Sequence, residues 1–121
     1  MPSLITRLHV GPRLSEVSIF NNVVYLAGQV PDKTVGRGIR EQVAEVLAAV
    51  DLLLAEAGTD KTRILSCQIF LRDIADIGEM NAVWEQWVPA GHCPCRATVQ
   101  AHLAKPEWRV EMVMTAALGA A

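Results

Sequence analysis

The chain has 121 residues, a formal charge of −2 and 51% hydrophobic residues. That length fits one domain spanning residues 1–121, and the apolar fraction is too high for a disordered chain. The slightly acidic balance argues against a dedicated nucleic-acid binder, which usually shows a concentrated basic footprint, and no stretch approaches the roughly 20 apolar residues of a membrane span.

Met1 to Val10 lacks the apolar core of a secretory signal, so the expectation is a cytoplasmic protein. Val17–Phe20 and Val23–Ala27 read as short strands. Asn21-Asn22 between them suits a tight hairpin, because Asn tolerates positive φ. Val30 to Lys33 reads as a loop. From about Gly36 to Ala57 the period changes to that of a helix. Ile39, Val43, Val46, Leu47, Val50, Leu53, Leu54 and Ala57 form its apolar stripe, and Gly58 stands where a left-handed cap ends it.

Arg63 to Leu71 returns to a period of two, with Leu65, Cys67, Ile69 and Leu71 on one face. A second helix follows, carrying Ile77, Met80, Trp84, Trp87 and Val88, with Asp76 and Glu79 as a capping pair and Pro89 as its stop. Two strands close the chain. Ala97, Val99 and Ala101 alternate with Arg96, Thr98 and Gln100, and Trp108, Val110, Met112 and Met114 alternate with Arg109, Glu111, Val113 and Thr115. The order β-β-α-β-α-β-β predicts an α+β fold, a mixed sheet with two helices on one face. Val113, Phe70 and Ile64 are then expected on the uncovered face, and exposed apolar sheet of this kind marks a subunit interface.

If the last two strands form an antiparallel hairpin over His102 to Pro106, one register keeps the apolar residues together. It places Val99 opposite Trp108, Ala97 opposite Val110 and Arg96 opposite Glu111. A guanidinium binds a carboxylate through two parallel hydrogen bonds, and a neighbouring carboxylate can orient water or move protons. Those two groups are a minimal kit for adding water to an imine of an α-amino acid. Set against this, a cross-strand Arg–Glu pair is more often surface decoration, contributing under ~1 kcal/mol.

The run Pro94-Cys95-Arg96-Ala97-Thr98-Val99, followed by Val110-Glu111-Met112, resembles the signature of the Rid family, also called YjgF-like. Leu26-Ala27-Gly28-Gln29-Val30 is similar to the family's Ala-Gly-Gln segment. Met80-Asn81-Ala82-Val83-Trp84 resembles its helix motif. Trp84 to Val88 and Ala90 to Pro94 resemble short bacterial members. The resemblance implies a chorismate-mutase-like homotrimer with sites in the clefts between subunits, and hydrolysis of enamines and imines such as 2-aminoacrylate to 2-keto acids and ammonia. It implies a small imino or keto acid as ligand and no cofactor or metal. By the same resemblance Arg96 clamps the substrate carboxylate, Glu111 positions the attacking water, the backbone of Gly28 lines the pocket and Asn81 stands near it. The chain departs from the family where Gly11-Pro12 is followed by Arg13-Leu14 rather than Tyr, where Thr98 replaces a reactive Cys, and at His102.

Other groupings carry less. His92, Cys93 and Cys95 lack the second ligand couple of a zinc site, and no third group orients a Cys–His nucleophile. Cys67, Cys93 and Cys95 are expected as free thiols. Trp84, Trp87 and Met80 read as core. Two other functions compete with the deaminase: a non-catalytic binder of small carboxylates, using the same clamp, and an RNA-cleaving protein, which the charge disfavours.

Overall fold

The computed structural model describes residues 4–119. Six strands form one sheet in the order β1-β2-β3-β6-β4-β5. They are β1 (Thr6–Val10), β2 (Ser15–Phe20), β3 (Val23–Leu26), β4 (Ile64–Leu71), β5 (Cys95–Gln100) and β6 (Val110–Ala117), and the helices are α1 (Ile39–Ala57) and α2 (Ile77–Trp87). β5 runs parallel to β4, and the other neighbouring pairs are antiparallel. The sheet is therefore mixed, as the α+β reading requires. No helix among the described residues is long and apolar enough to cross a membrane.

The hairpin between β2 and β3 turns on Asn21 and Asn22, both at positive φ, 51° and 64°. All eight residues of the predicted α1 stripe are buried. Gly58 ends the helix at φ 88°, its N–H donating to the carbonyls of Leu54 and Ala55. α1 starts at Ile39, later than expected, where the Glu41 carboxylate accepts from the Gly38 N–H at 2.9 Å. Gln42 lies buried within the stripe. Its amide donates to the carbonyls of Thr34, Arg37 and Glu107, and its oxygen accepts from the Arg109 N–H at 2.8 Å. This side chain fixes the approach to β6, the strand that carries Glu111.

The structure corrects several expectations. β1 is an additional strand; four of its five residues are exposed and only Leu8 is half-buried, so its apolar alternation is too weak to be read from the sequence. Asp76 does not cap α2 through its side chain, because its carboxylate pairs with Arg109 at 3.0 Å. A register shift between Ile64 and Ser66 turns Ile64 into the core and leaves Leu65 48% exposed, reversing the predicted sides of both. The largest correction concerns the last two strands. They form no hairpin, because β4 lies between them, so Arg96 pairs with Cys67 and Glu111 with Phe70. A long connection containing Pro106 leads the chain across β4 instead of folding it back.

The core lies between the helices and one sheet face. Cys67, Ile69 and Leu71 of β4 and Val110, Met112 and Met114 of β6 meet the α1 stripe together with Met80 and Trp84 of α2. The opposite face carries Phe70, Val113 and Thr115, all half-buried, and no helix among the described residues covers it.

Candidate functional site

The residues predicted to act together fall into two groups on opposite faces of the sheet. Arg96 shares its side with Cys67, which is buried in the core. Its guanidinium lies over the Trp84 ring, 5.3 Å from the centroid. Trp84 is itself buried and sits 5.6 Å from Trp87, whose indole N–H donates to Asp51 at 2.9 Å. An aromatic face attracts a guanidinium electrostatically and holds it in a plane. Arg96 is exposed, and β5 is an edge strand, so the guanidinium is open to an incoming carboxylate.

Two buried polar atoms accompany it. Asn81 Oδ1, one turn before Trp84 on α2, and Thr98 Oγ1, two residues beyond Arg96 on β5, have no hydrogen-bond partner. Such atoms cost free energy unless a ligand or water meets them. Arg96 and Thr98 share the covered side of β5, and Asn81 shares a face of α2 with Trp84, the ring that meets the Arg96 guanidinium. Trp84 acts there beyond the core role that helical spacing assigned it; its place three residues after Asn81 was the available signal.

Glu111 belongs to the other half. Its register partner Phe70 faces away from the helices, and so does Glu111. Among the described residues its carboxylate has no hydrogen-bond or ion-pair partner, and burial holds its pKa above the ordinary value of 4.5. Gly28 lies directly against it, and a side chain on Gly28 would run into the Glu111 carboxylate. Within one chain Arg96 and Glu111 stand on either side of β4 and three residues apart along it, roughly 14 Å between Cα atoms from the ordinary strand spacings. Their side chains point away from each other, and no small substrate touches both in one copy.

A shallow cavity of about 440 Å³ opens between these strands, lined by Ser66, Cys67, Gln68, Cys95, Arg96, Ala97, Val113 and Thr115. Glu111, Gly28 and Asn81 do not line it. Burial pushes the Cys67 thiol up to about 12, with the Arg96 charge pulling the other way, so Cys67 stays a neutral thiol. Cys93 and Cys95 are exposed free thiols. Among the described residues no three His, Cys, Asp or Glu side chains are grouped to hold a metal ion.

A family model described as endoribonuclease L-PSP matches residues 5–118. A RutC family protein of Haemophilus influenzae is 49% identical over 93% of this chain and 97% of its own length. The RutC family protein YoaB of Escherichia coli is 42% identical over 94% of this chain and 98% of its own. The crystal structure of a YjgF family member from Neisseria meningitidis superposes with a TM-score of 0.92 at 47% identity, covering 97% of both chains. The chain therefore belongs to the endoribonuclease L-PSP family, the family of the RutC, YjgF and Rid proteins.

Proposed function

We propose that this protein is an enamine and imine deaminase of the cytoplasm, hydrolysing 2-aminoacrylate-type intermediates to 2-keto acids and ammonia at sites shared between copies in a homotrimer. The observation that carries this reading is the division of the site into two incomplete halves. One half presents an open guanidinium on an aromatic plane, and the other presents a partly desolvated carboxylate without a partner among the described residues. Docking the open face and the β5 edge of two copies brings Arg96 of one against Glu111 of the next. The half-exposed apolar surface at Phe70 and Val113, with Tyr25 47% exposed, supplies a reason for copies to associate.

In this arrangement Arg96 binds the substrate carboxylate through two hydrogen bonds and sets the distance of C2 from Glu111. Glu111 accepts a proton from water as the oxygen adds to C2. Its raised pKa brings it closer to the working pH, which favours proton transfer in both directions. That proton passes to nitrogen to give a carbinolamine; its hydroxyl then loses its own proton, which Glu111 carries to nitrogen as the C–N bond breaks, so ammonia leaves and C=N is exchanged for C=O. An enamine first takes a proton at C3 to become the imine. Carbon is neither oxidised nor reduced on balance, so the reaction calls for no redox cofactor. In this reading Asn81 Oδ1, unpartnered in the single chain, accepts from the substrate nitrogen, and the Gly28 backbone lines the water side.

The test couples the purified protein to a dehydratase that releases 2-aminoacrylate. The expected outcome is keto-acid release well above the spontaneous rate, lost in Arg96→Ala. Release at the spontaneous rate, with a 2-keto acid still bound by Arg96, would favour the second reading, a non-catalytic carboxylate binder. The Arg13-Leu14 departure gives that reading its support. The family description names an endoribonuclease, but a chain of charge −2 without a basic stripe offers no track for a phosphate backbone.

A further inference from the structure

Gly28 is unlike the glycines that the backbone requires. Gly36, Gly58, Gly91 and Gly119 have positive φ, and a Cβ on any of them would meet nothing within 4 Å. Gly28 has no positive φ. A Cβ there would overlap Glu111 Oε2 and lie 3.0 Å from Cδ and 3.3 Å from Cγ. The space that a side chain would fill is already taken by the carboxylate.

The backbone on either side cannot easily give way. Gln29 and Met112 exchange both of their peptide hydrogen bonds, the Gln29 N–H donating at 2.8 Å and the Met112 N–H at 3.1 Å. This closed pair adjoins both Gly28 and Glu111 in sequence, and Gln29 is buried, its side-chain amide donating to the Ala27 carbonyl at 3.0 Å. Ala27 is tied in turn to β2 through the Glu16 carbonyl at 2.9 Å. With the peptides on both sides of Gly28 held, the flexible end of Glu111 is what must move if the space is filled.

We infer that Gly28 is a positioning residue: its missing side chain is the slot that seats the Glu111 carboxylate against the open face of the sheet. This goes beyond a glycine whose backbone lines a pocket, because it assigns the position of the carboxylate to an absence of atoms. It rests on the role proposed for Glu111 in turnover. Among the described residues no hydrogen bond holds the carboxylate, so the slot and the hydrocarbon stem together set its place.

The test is Gly28→Ala, read by two independent measurements. The first is the titration of the Glu111 side-chain carboxyl by carbon NMR on the ligand-free protein. Eviction from the slot into solvent should lower its pKa towards the ordinary value. The second is steady-state deaminase kinetics, in which kcat should fall roughly 10-fold to 100-fold with KM changed much less, as expected for a displaced base with an intact clamp. A control places Gly28→Ala in the Glu111→Ala background, where the slot is empty and the added methyl should leave the thermal midpoint of that background unchanged. An unshifted Glu111 titration, or an equal loss of thermal stability with and without the Glu111 side chain, would overturn the assignment. If the wild-type protein shows no turnover, the deaminase reading fails, and the titration still decides whether Gly28 seats the carboxylate.

Discussion

Neighbouring residues of β6 meet opposite surroundings. Val110 and Met112 are fully enclosed beneath the helices, while Glu111 and Val113 between and beyond them stay half-buried on the open face. The covered face is apolar and saturated with contacts. The open face has enough surrounding protein to desolvate a carboxylate in part but, among the described residues, gives it no partner. The difference teaches that one strand does two jobs by parity alone: alternate residues hold the fold, and those between are left unfinished. Arg96 sharpens the contrast. It sits on the covered side, but at the edge strand and beyond the buried core, where the Trp84 ring supports the guanidinium without enclosing it.

The largest effects should come from breaking one half at a time. Arg96→Ala and Glu111→Gln are each expected to lower kcat/KM by roughly 10²–10⁴-fold, the range for a lost clamp or general base. Mixing the two inactive variants, unfolding and refolding them together, then separates a shared site from an internal one. In a homotrimer with shared sites, about a quarter of the sites pair an intact Arg96 with an intact Glu111. Activity should return to about that fraction of wild type. No recovery from demonstrably mixed trimers would mean that the two residues do not meet across an interface.

A smaller effect separates the faces by stability. Met112→Ala should cost about 2–5 kcal/mol in chemical denaturation, the range for truncating an enclosed core side chain. Val113→Asp, one residue along, should leave the circular dichroism of the folded chain intact and reduce its mass in sedimentation to that of a single copy. If Val113→Asp unfolds the chain outright, or sediments as the wild type does, the open face is not the associating surface.

The sequence was most legible where one pattern had one explanation. The eight-residue stripe of α1, the Asn21-Asn22 turn and the glycine at 58 all follow from local chemistry, and all are found. Alternation in the last two strands was also readable, but alternation does not say which strand lies alongside. Placing Arg96 opposite Glu111 assumed that consecutive strands pair, whereas β4 takes the position between them and makes the β5 contact parallel. A single bulge was enough to exchange the sides of Ile64 and Leu65, since strand side chains alternate every residue. The candidate residues were nameable because Arg96, Glu111, Gly28 and Asn81 sit in recognisable runs. Their division between two faces depends on long-range pairing, which local pattern does not encode. Gln42 was hidden for a related reason: a polar residue beside an apolar stripe looks solvent-facing until the loop it satisfies is in place.

The smallest expected effect tests whether the open face is unfinished at a cost to the fold. Glu111 has its pKa raised by burial in the native state. A group with a raised folded pKa favours the folded state while it is protonated, relative to its own ionised form. That advantage is complete below the unfolded value near 4.5 and is lost as pH rises through the folded value. At neutral pH the ionised carboxylate is therefore a net penalty, and Glu111→Gln should raise the thermal midpoint even as it removes activity. Solvent screening of a half-buried group limits the gain to under about 1 kcal/mol. Lowering the pH below 4 should erase the difference, because the wild-type carboxyl is then neutral too. A variant less stable than wild type at pH 7 would show instead that the carboxylate is satisfied in the assembled protein, and the open face would have to contain a partner for it.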